Sequence, residues 1–159
     1  MLDIKFITVG TLKEAYLRDA EAEYAKRLGG LCRFSVVSLK EARLPDAPSK
    51  SEIDAALEAE AKAILAAVPQ RSYKIMLCVE GKQFSSEELA ARIEQLQSEY
   101  STICFVIGSS YGLHESVKKA ADLRLSVSKL TFPHQLMRVM LSEAVYRCLN
   151  IIKGTKYHK

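Results

Sequence analysis

Short, strongly apolar runs alternate with longer amphipathic ones along the whole chain. Asp3–Val9 reads as a strand ending at Gly10. Over 12–28, Leu12, Ala15, Tyr16, Ala20, Tyr24 and Leu28 recur near helical spacing, and Gly29-Gly30 stops the helix. Arg33–Leu39 predicts a second strand, followed by a polar loop holding Pro45 and Pro48. Ser49 with Glu52 makes a capping box for a helix over 51–67, closed by Pro69. Residues 73–79 form a third strand, and Ser85 with Glu88 opens a helix to about residue 99. Thr102–Ile107 is almost wholly apolar, as a strand at the centre of a parallel sheet should be. A short helix over 114–121, a strand over 123–127 and a long helix over 134–152 complete the chain. Strict β-α alternation predicts an α/β fold, a mostly parallel sheet with helices on both faces.

In such sheets ligands bind beyond the carboxyl ends of the strands. That directs attention to three connections. They are Glu80-Gly81-Lys82, Gly108-Ser109-Ser110-Tyr111-Gly112, and Ser128-Lys129-Leu130-Thr131-Phe132-Pro133-His134. Glycines allow backbone amides and carbonyls to approach a flat ligand, and the third loop is anchored by proline. Neither a dinucleotide G-x-G-x-x-G nor a P-loop is present. Turn punctuation alone accounts for each glycine singly; three such loops together favour a small organic ligand.

Length and composition narrow the class. The chain has 159 residues, 48% hydrophobic and 26% charged, consistent with one domain over 1–159. Disordered and collagen-like classes are excluded by this composition. No apolar run approaches a membrane span, and Asp3 stands where a signal peptide carries basic residues, so a cytoplasmic protein is expected. Cys32, Cys78, Cys104 and Cys148 form no C-x-x-C pair and read as buried thiols, with no metal site expected.

The net charge is +4, and Arg147, Lys153, Lys156 and Lys159 carry that excess within the last 13 residues, which hold no acid. A basic end on a neutral body is either a solvated terminus or a polyanion contact. Tyr157 and His158 among those lysines supply what stacking on an unpaired base requires. His114, at a helix start, reads as a cap. His134 follows Phe132-Pro133 and either caps or acts chemically. Arg138, four residues on, shares its helical face, so both are expected to point at whatever the 128–133 loop encloses, unless Arg138 merely pairs with Glu143 or another neighbour. The apolar stripe through Met137, Met140 and Leu141 is broad enough to be covered partly by another subunit.

The segments 105–114 (FVIGSSYGLH), 126–135 (SVSKLTFPHQ) and 154–159 (GTKYHK), with Val9-Gly10-Thr11-Leu12-Lys13 and Tyr24-x-Lys26-Arg27, resemble the bacterial ribosomal RNA large subunit methyltransferase H family across essentially the whole chain. The resemblance implies a SPOUT-class homodimer with a C-terminal trefoil knot, a feature that general topology rules would not predict. It also implies S-adenosyl-L-methionine as cofactor and N3 of a pseudouridine in 23S rRNA of the assembled ribosome as target. By matching positions it assigns the cofactor to Leu77, Gly108, Val127, Ser128, Lys129, Leu130, Thr131 and Phe132. Ser109 departs from the pattern, standing where glycine is expected in some relatives.

For that reaction an imide N–H must lose its proton. His134 or His158 is expected to assist, Arg138 to steady the developing charge, and Tyr157 to hold the base. Lys153, Lys156 and Lys159 would hold phosphates. The basic tail is equally compatible with a non-catalytic RNA- or ribosome-binding α/β module. Strand-end loops also suit a flavodoxin-like nucleotide enzyme, against which the missing phosphate fingerprints count.

Overall fold

The computed structural model describes all 159 residues. Its sheet contains β1 (Asp3–Val9), β2 (Arg33–Leu39), β3 (Tyr73–Lys82), β4 (Thr102–Ile107) and β5 (Leu123–Leu125), in the order β2-β1-β4-β3-β5. Every pairing is parallel, so the expected mostly parallel sheet is wholly so. The helices are α1 (Ala15–Gly29), α2 (Lys50–Ala67), α3 (Ser86–Leu96), α4 (Glu115–Lys119) and α5 (His134–Lys153).

β4 lies at the centre, and its alternate residues enter two different cores. Ile103, Phe105 and Ile107 pack with Leu28 of α1, Leu89 and Ile93 of α3, and Leu141 and Val145 of α5. Cys104 and Val106 pack with Ala61 and Ile64 of α2 and Val117 of α4. Two-sided burial explains why β4 carries no polar alternation. Both predicted capping boxes form: Ser49 Oγ accepts from the Glu52 amide, and Ser85 Oγ from the Glu88 amide, each at 3.1 Å.

Some boundaries differ from the sequence reading. α1 starts at Ala15 because the Arg18 guanidinium takes the carbonyls of Leu12 and Lys13, at 3.1 and 2.7 Å, outside the helix. α3 ends at Leu96, and α4 is a five-residue helix capped by His114, whose Nδ1 accepts the Ser116 amide at 3.1 Å. β3 runs on to Lys82, and β5 stops at Leu125. A register shift lets both Leu77 and Lys82 pair with Leu125. Residues 80–82, expected in a loop, therefore belong to an irregular strand end. Gly81 permits this: a Cβ there would lie 2.7 Å from the Arg124 carbonyl oxygen.

The start of α5 is fixed by one buried cation. Arg138 is 3% exposed. Its Nε and Nη2 donate to the two carboxylate oxygens of Glu21 on α1, at 3.1 and 3.2 Å, and its Nη1 donates to the Gly10 carbonyl at 3.1 Å. A forked guanidinium thus joins α5 to α1 and to the end of β1. Truncation would strand a largely buried carboxylate and a carbonyl. Arg138→Ala is expected to lower unfolding free energy by about 3 kcal/mol, measured as a reduced urea midpoint at unchanged slope.

Candidate functional site

The carboxyl ends of β3, β4 and β5 open into a cavity of about 780 Å³. That volume lies within the usual range for sites that take a small organic ligand. Leu77, Cys78, Val79 and Glu80 line it from β3, residues 107–113 from the turn after β4, and Leu125, Ser126, Val127, Ser128, Leu130, Thr131, Phe132 and Pro133 from the last connection. His134 and Met137 of α5 and Lys118 of α4 close it.

The turn after β4 is shaped by backbone crowding. Gly112 donates its amide to the Ser109 carbonyl at 2.9 Å, and the two form an isolated antiparallel bridge. A Cβ on Gly108 would collide with the Gly112 carbonyl, so only glycine fits at the entry to the turn. The last connection braces itself. Ser126 Oγ donates to the Ser128 carbonyl at 3.1 Å, and Ser128 Oγ accepts the Leu130 amide at 3.0 Å. Leu130 nevertheless remains 72% exposed, an apolar side chain left at the rim.

The residues picked from the sequence separate into three groups. Leu77, Gly108, Val127, Ser128, Leu130, Thr131 and Phe132 meet at the cavity, whereas Lys129 is exposed and outside its lining. His134 also lines it. Burial pushes the His134 imidazole below its ordinary pKa; nearby Glu41 opposes the shift, and Arg138 and Lys13 reinforce it. Arg138 does not face the cavity as expected. It turns inward because the Glu21 carboxylate and the Gly10 carbonyl offer three acceptor oxygens, and its partner is not Glu143.

The terminal group lies elsewhere. After Gly154 the chain reverses, with the Thr155 amide donating to the Asn150 carbonyl at 3.1 Å. Tyr157 then packs edge-on against Tyr146, ring centroids 4.8 Å apart, and its hydroxyl donates to Glu143 at 2.9 Å. Arg147 sits over the Tyr157 ring at 4.9 Å. His158 meets Arg147 through Nδ1 at 3.2 Å and Glu87 through Nε2 at 2.7 Å. The tail is thus ordered rather than frayed. Arg147 lies about 20 Å along the α5 axis from His134, and neither Tyr157 nor His158 lines the cavity. Lys153, Lys156 and Lys159 are exposed and make no ion pair.

The sequence reading put Glu80 at a strand end but missed Lys118 and the pairing of the two. Glu80 and Lys118 form an ion pair at 2.7 Å on the cavity wall. Hydrogen bonding between them holds the Glu80 carboxyl below, and the Lys118 amine above, their ordinary pKa values. They are far apart in sequence and share no motif, so pattern alone offers no signal. Four buried thiols complete the chemistry. Burial pushes Cys32 and Cys104 up to about 11, Cys148 up to about 12, and raises Cys78. Thiols held protonated in this way are poor nucleophiles. No group of three or more potential metal-ligating side chains occurs, and no helix is long and apolar enough to cross a membrane.

Comparison with known proteins identifies the architecture. A family model described as "Predicted SPOUT methyltransferase" matches residues 2–158. A Streptococcus thermophilus protein named "Ribosomal RNA large subunit methyltransferase H" is 49% identical over 159 residues, covering 99% of this chain and 100% of the relative. A Streptococcus pneumoniae protein of the same name is 44% identical with the same coverage. The match runs through the cavity loops and the basic tail alike, and the chain therefore belongs to the SPOUT methyltransferase family, as an enzyme that transfers a methyl group.

Proposed function

We propose that the protein is an S-adenosyl-L-methionine-dependent methyltransferase acting on N3 of a pseudouridine in 23S rRNA of the assembled ribosome, in the cytoplasm. The observation that carries this reading is the meeting of seven cofactor-matched residues around one cavity at three strand ends. Half-apolar lining, close backbone at Gly108 and a polar wall at Glu80 and Lys118 suit an adenosine with a charged amino-acid arm. Family membership favours this over a non-catalytic RNA-binding module or a flavodoxin-like nucleotide enzyme. Bound there, S-adenosyl-L-methionine supplies a methyl group already activated by its sulfonium.

The chain's own task is to present the base and remove its imide proton. His134, neutral at physiological pH because of its burial, is placed at the cavity to accept that proton at a ring nitrogen. His158 and Tyr157 do not line the cavity of their own protomer. We therefore assign them to the cavity of a second subunit, in a homodimer in which the C-terminal part of each chain forms its own trefoil knot. Lys153, Lys156 and Lys159 take phosphates, and Lys129 joins them at the exposed edge of the last connection. Arg138 becomes a positioning residue: it holds the first turns of α5, and hence His134, against the cavity. A direct role on developing charge would require its release from Glu21.

Tritiated methyl transfer to ribosomes that lack the modification tests the activity, and nucleoside analysis should return N3-methylpseudouridine. Label at another nucleoside would replace the assigned target. His134→Asn should lower the single-turnover rate by about 10²–10⁴-fold. In wild type that rate should rise with pH through the imidazole titration, positioned below the ordinary value of about 6.5, and level off above it. A wild-type rate in H134N would transfer the proton to His158. Removal of residues 154–159 should abolish methylation while donor affinity stays nearly unchanged, measured by calorimetry. Loss of donor binding would show that the tail serves more than the RNA.

A further inference from the structure

The cavity lining holds a single carboxylate, Glu80, a single ammonium, Lys118, and no guanidinium. The two are paired with each other, Lys118 Nζ donating to Glu80 Oε1 at 2.7 Å. The pair is open to a ligand: the Lys118 side chain is 22% exposed and the Glu80 side chain 54%. The other charged groups that act on it, Arg124 and Glu115, form a second pair at 3.9 Å and do not line the cavity.

Both partners stand on fixed backbone. Glu80 adjoins Gly81, which leaves no room for a Cβ against the Arg124 carbonyl, and Arg124 Nε donates to the Lys118 carbonyl at 3.1 Å. Val117, beside Lys118 on α4, is buried in the core on the α2 face of the sheet, whereas α5 packs into the core on the other face. The pair and His134 therefore approach the cavity from opposite sides. A single contact leaves most of the hydrogen-bonding capacity of both groups unused, since an ammonium has further N–H donors and a carboxylate further lone pairs. A ligand fragment that satisfies both must carry an anion beside a cation, so that the charges alternate around a closed ring. An α-amino acid head has the two on one carbon.

We propose that Glu80 and Lys118 form the subsite for the zwitterionic α-amino acid head of the methyl donor, with Lys118 Nζ donating to its carboxylate and Glu80 accepting from its ammonium. The inference rests on the cavity being the methyl-donor site and assigns one end of the donor to named side chains. Anchoring the head on the α4 side turns the reacting end toward His134. Because each charged side chain is already held by the other, little side-chain freedom is lost when the ligand enters.

Two probes separate the head from the rest of the ligand in calorimetry on the full-length protein. S-adenosylhomocysteine carries the head, and methylthioadenosine has the same adenosine and thioether without it. Wild type should bind the first more tightly. Lys118→Met and Glu80→Gln should each weaken S-adenosylhomocysteine by about tenfold or more, the worth of a charge-assisted hydrogen bond, and leave methylthioadenosine unchanged. Lys118→Arg should recover part of the loss, and the double variant should lose less than the two single losses combined, because both groups serve one ring. Should Lys118→Met lower the unfolding midpoint, the isosteric Glu80→Gln decides. Parallel losses of both probes in Glu80→Gln would put the carboxylate against the ribose hydroxyls and overturn the inference. Wild-type affinity for S-adenosylhomocysteine in that variant, or methylthioadenosine binding wild type equally tightly, would also overturn it; in all three cases the donor site stands. Failure of wild type to bind either probe overturns the donor-site reading and this inference together.

Discussion

At the carboxyl ends of β3 and β4, backbone meets backbone at distances that side chains would forbid. Gly81 lies against the Arg124 carbonyl, and Gly108 against the Gly112 carbonyl. This crowding pulls the end of β3 alongside β5 and folds the turn after β4 back on itself. The cavity is what remains between those turns and the last connection. Half of its lining is hydrophobic, and its shape depends on glycines whose substitution would force strands apart rather than merely fill space.

The helices convert that local geometry into a stable site. Two-sided burial of β4 places the three strand ends on one edge of a rigid sheet. Arg138 then seats α5 against α1 and β1, which brings His134 and Met137 over the opening. On α2, buried Glu60 accepts the Ala42 amide and fastens the β2–α2 connection to the helix. Two buried ionisable side chains, Arg138 and Glu60, thus tie separate helices to neighbouring segments. Such groups are costly to bury unpaired, so each constrains the arrangement of the elements it joins.

The tail follows a different logic. Tyr157 and His158 pack along α5 and α3 through Tyr146, Glu143, Arg147 and Glu87. One protomer consequently keeps its candidate nucleobase contacts out of the lining of its own donor cavity, beside a turn of α5 about 20 Å along the axis from His134. That separation is the physical reason for assigning the complete reaction centre to two subunits.

Local pattern determined much of the fold. β1, β2 and β4 have the bounds that apolar runs dictate, and both capping boxes appear, because these features depend on residues adjacent in the chain. Position at strand ends likewise located the cavity loops, and the family motifs attached a ligand class to them. Tertiary structure alone decided where long side chains go. Helical spacing put Arg138 on the face of His134, but the spacing is silent about Glu21, which lies 117 residues away and turns the guanidinium inward. The Glu80–Lys118 pair, the strand extension at Gly81 and the hold of Glu60 on the Ala42 amide were equally unreadable. Each depends on groups brought together by crossovers, and a linear pattern contains no term for such encounters.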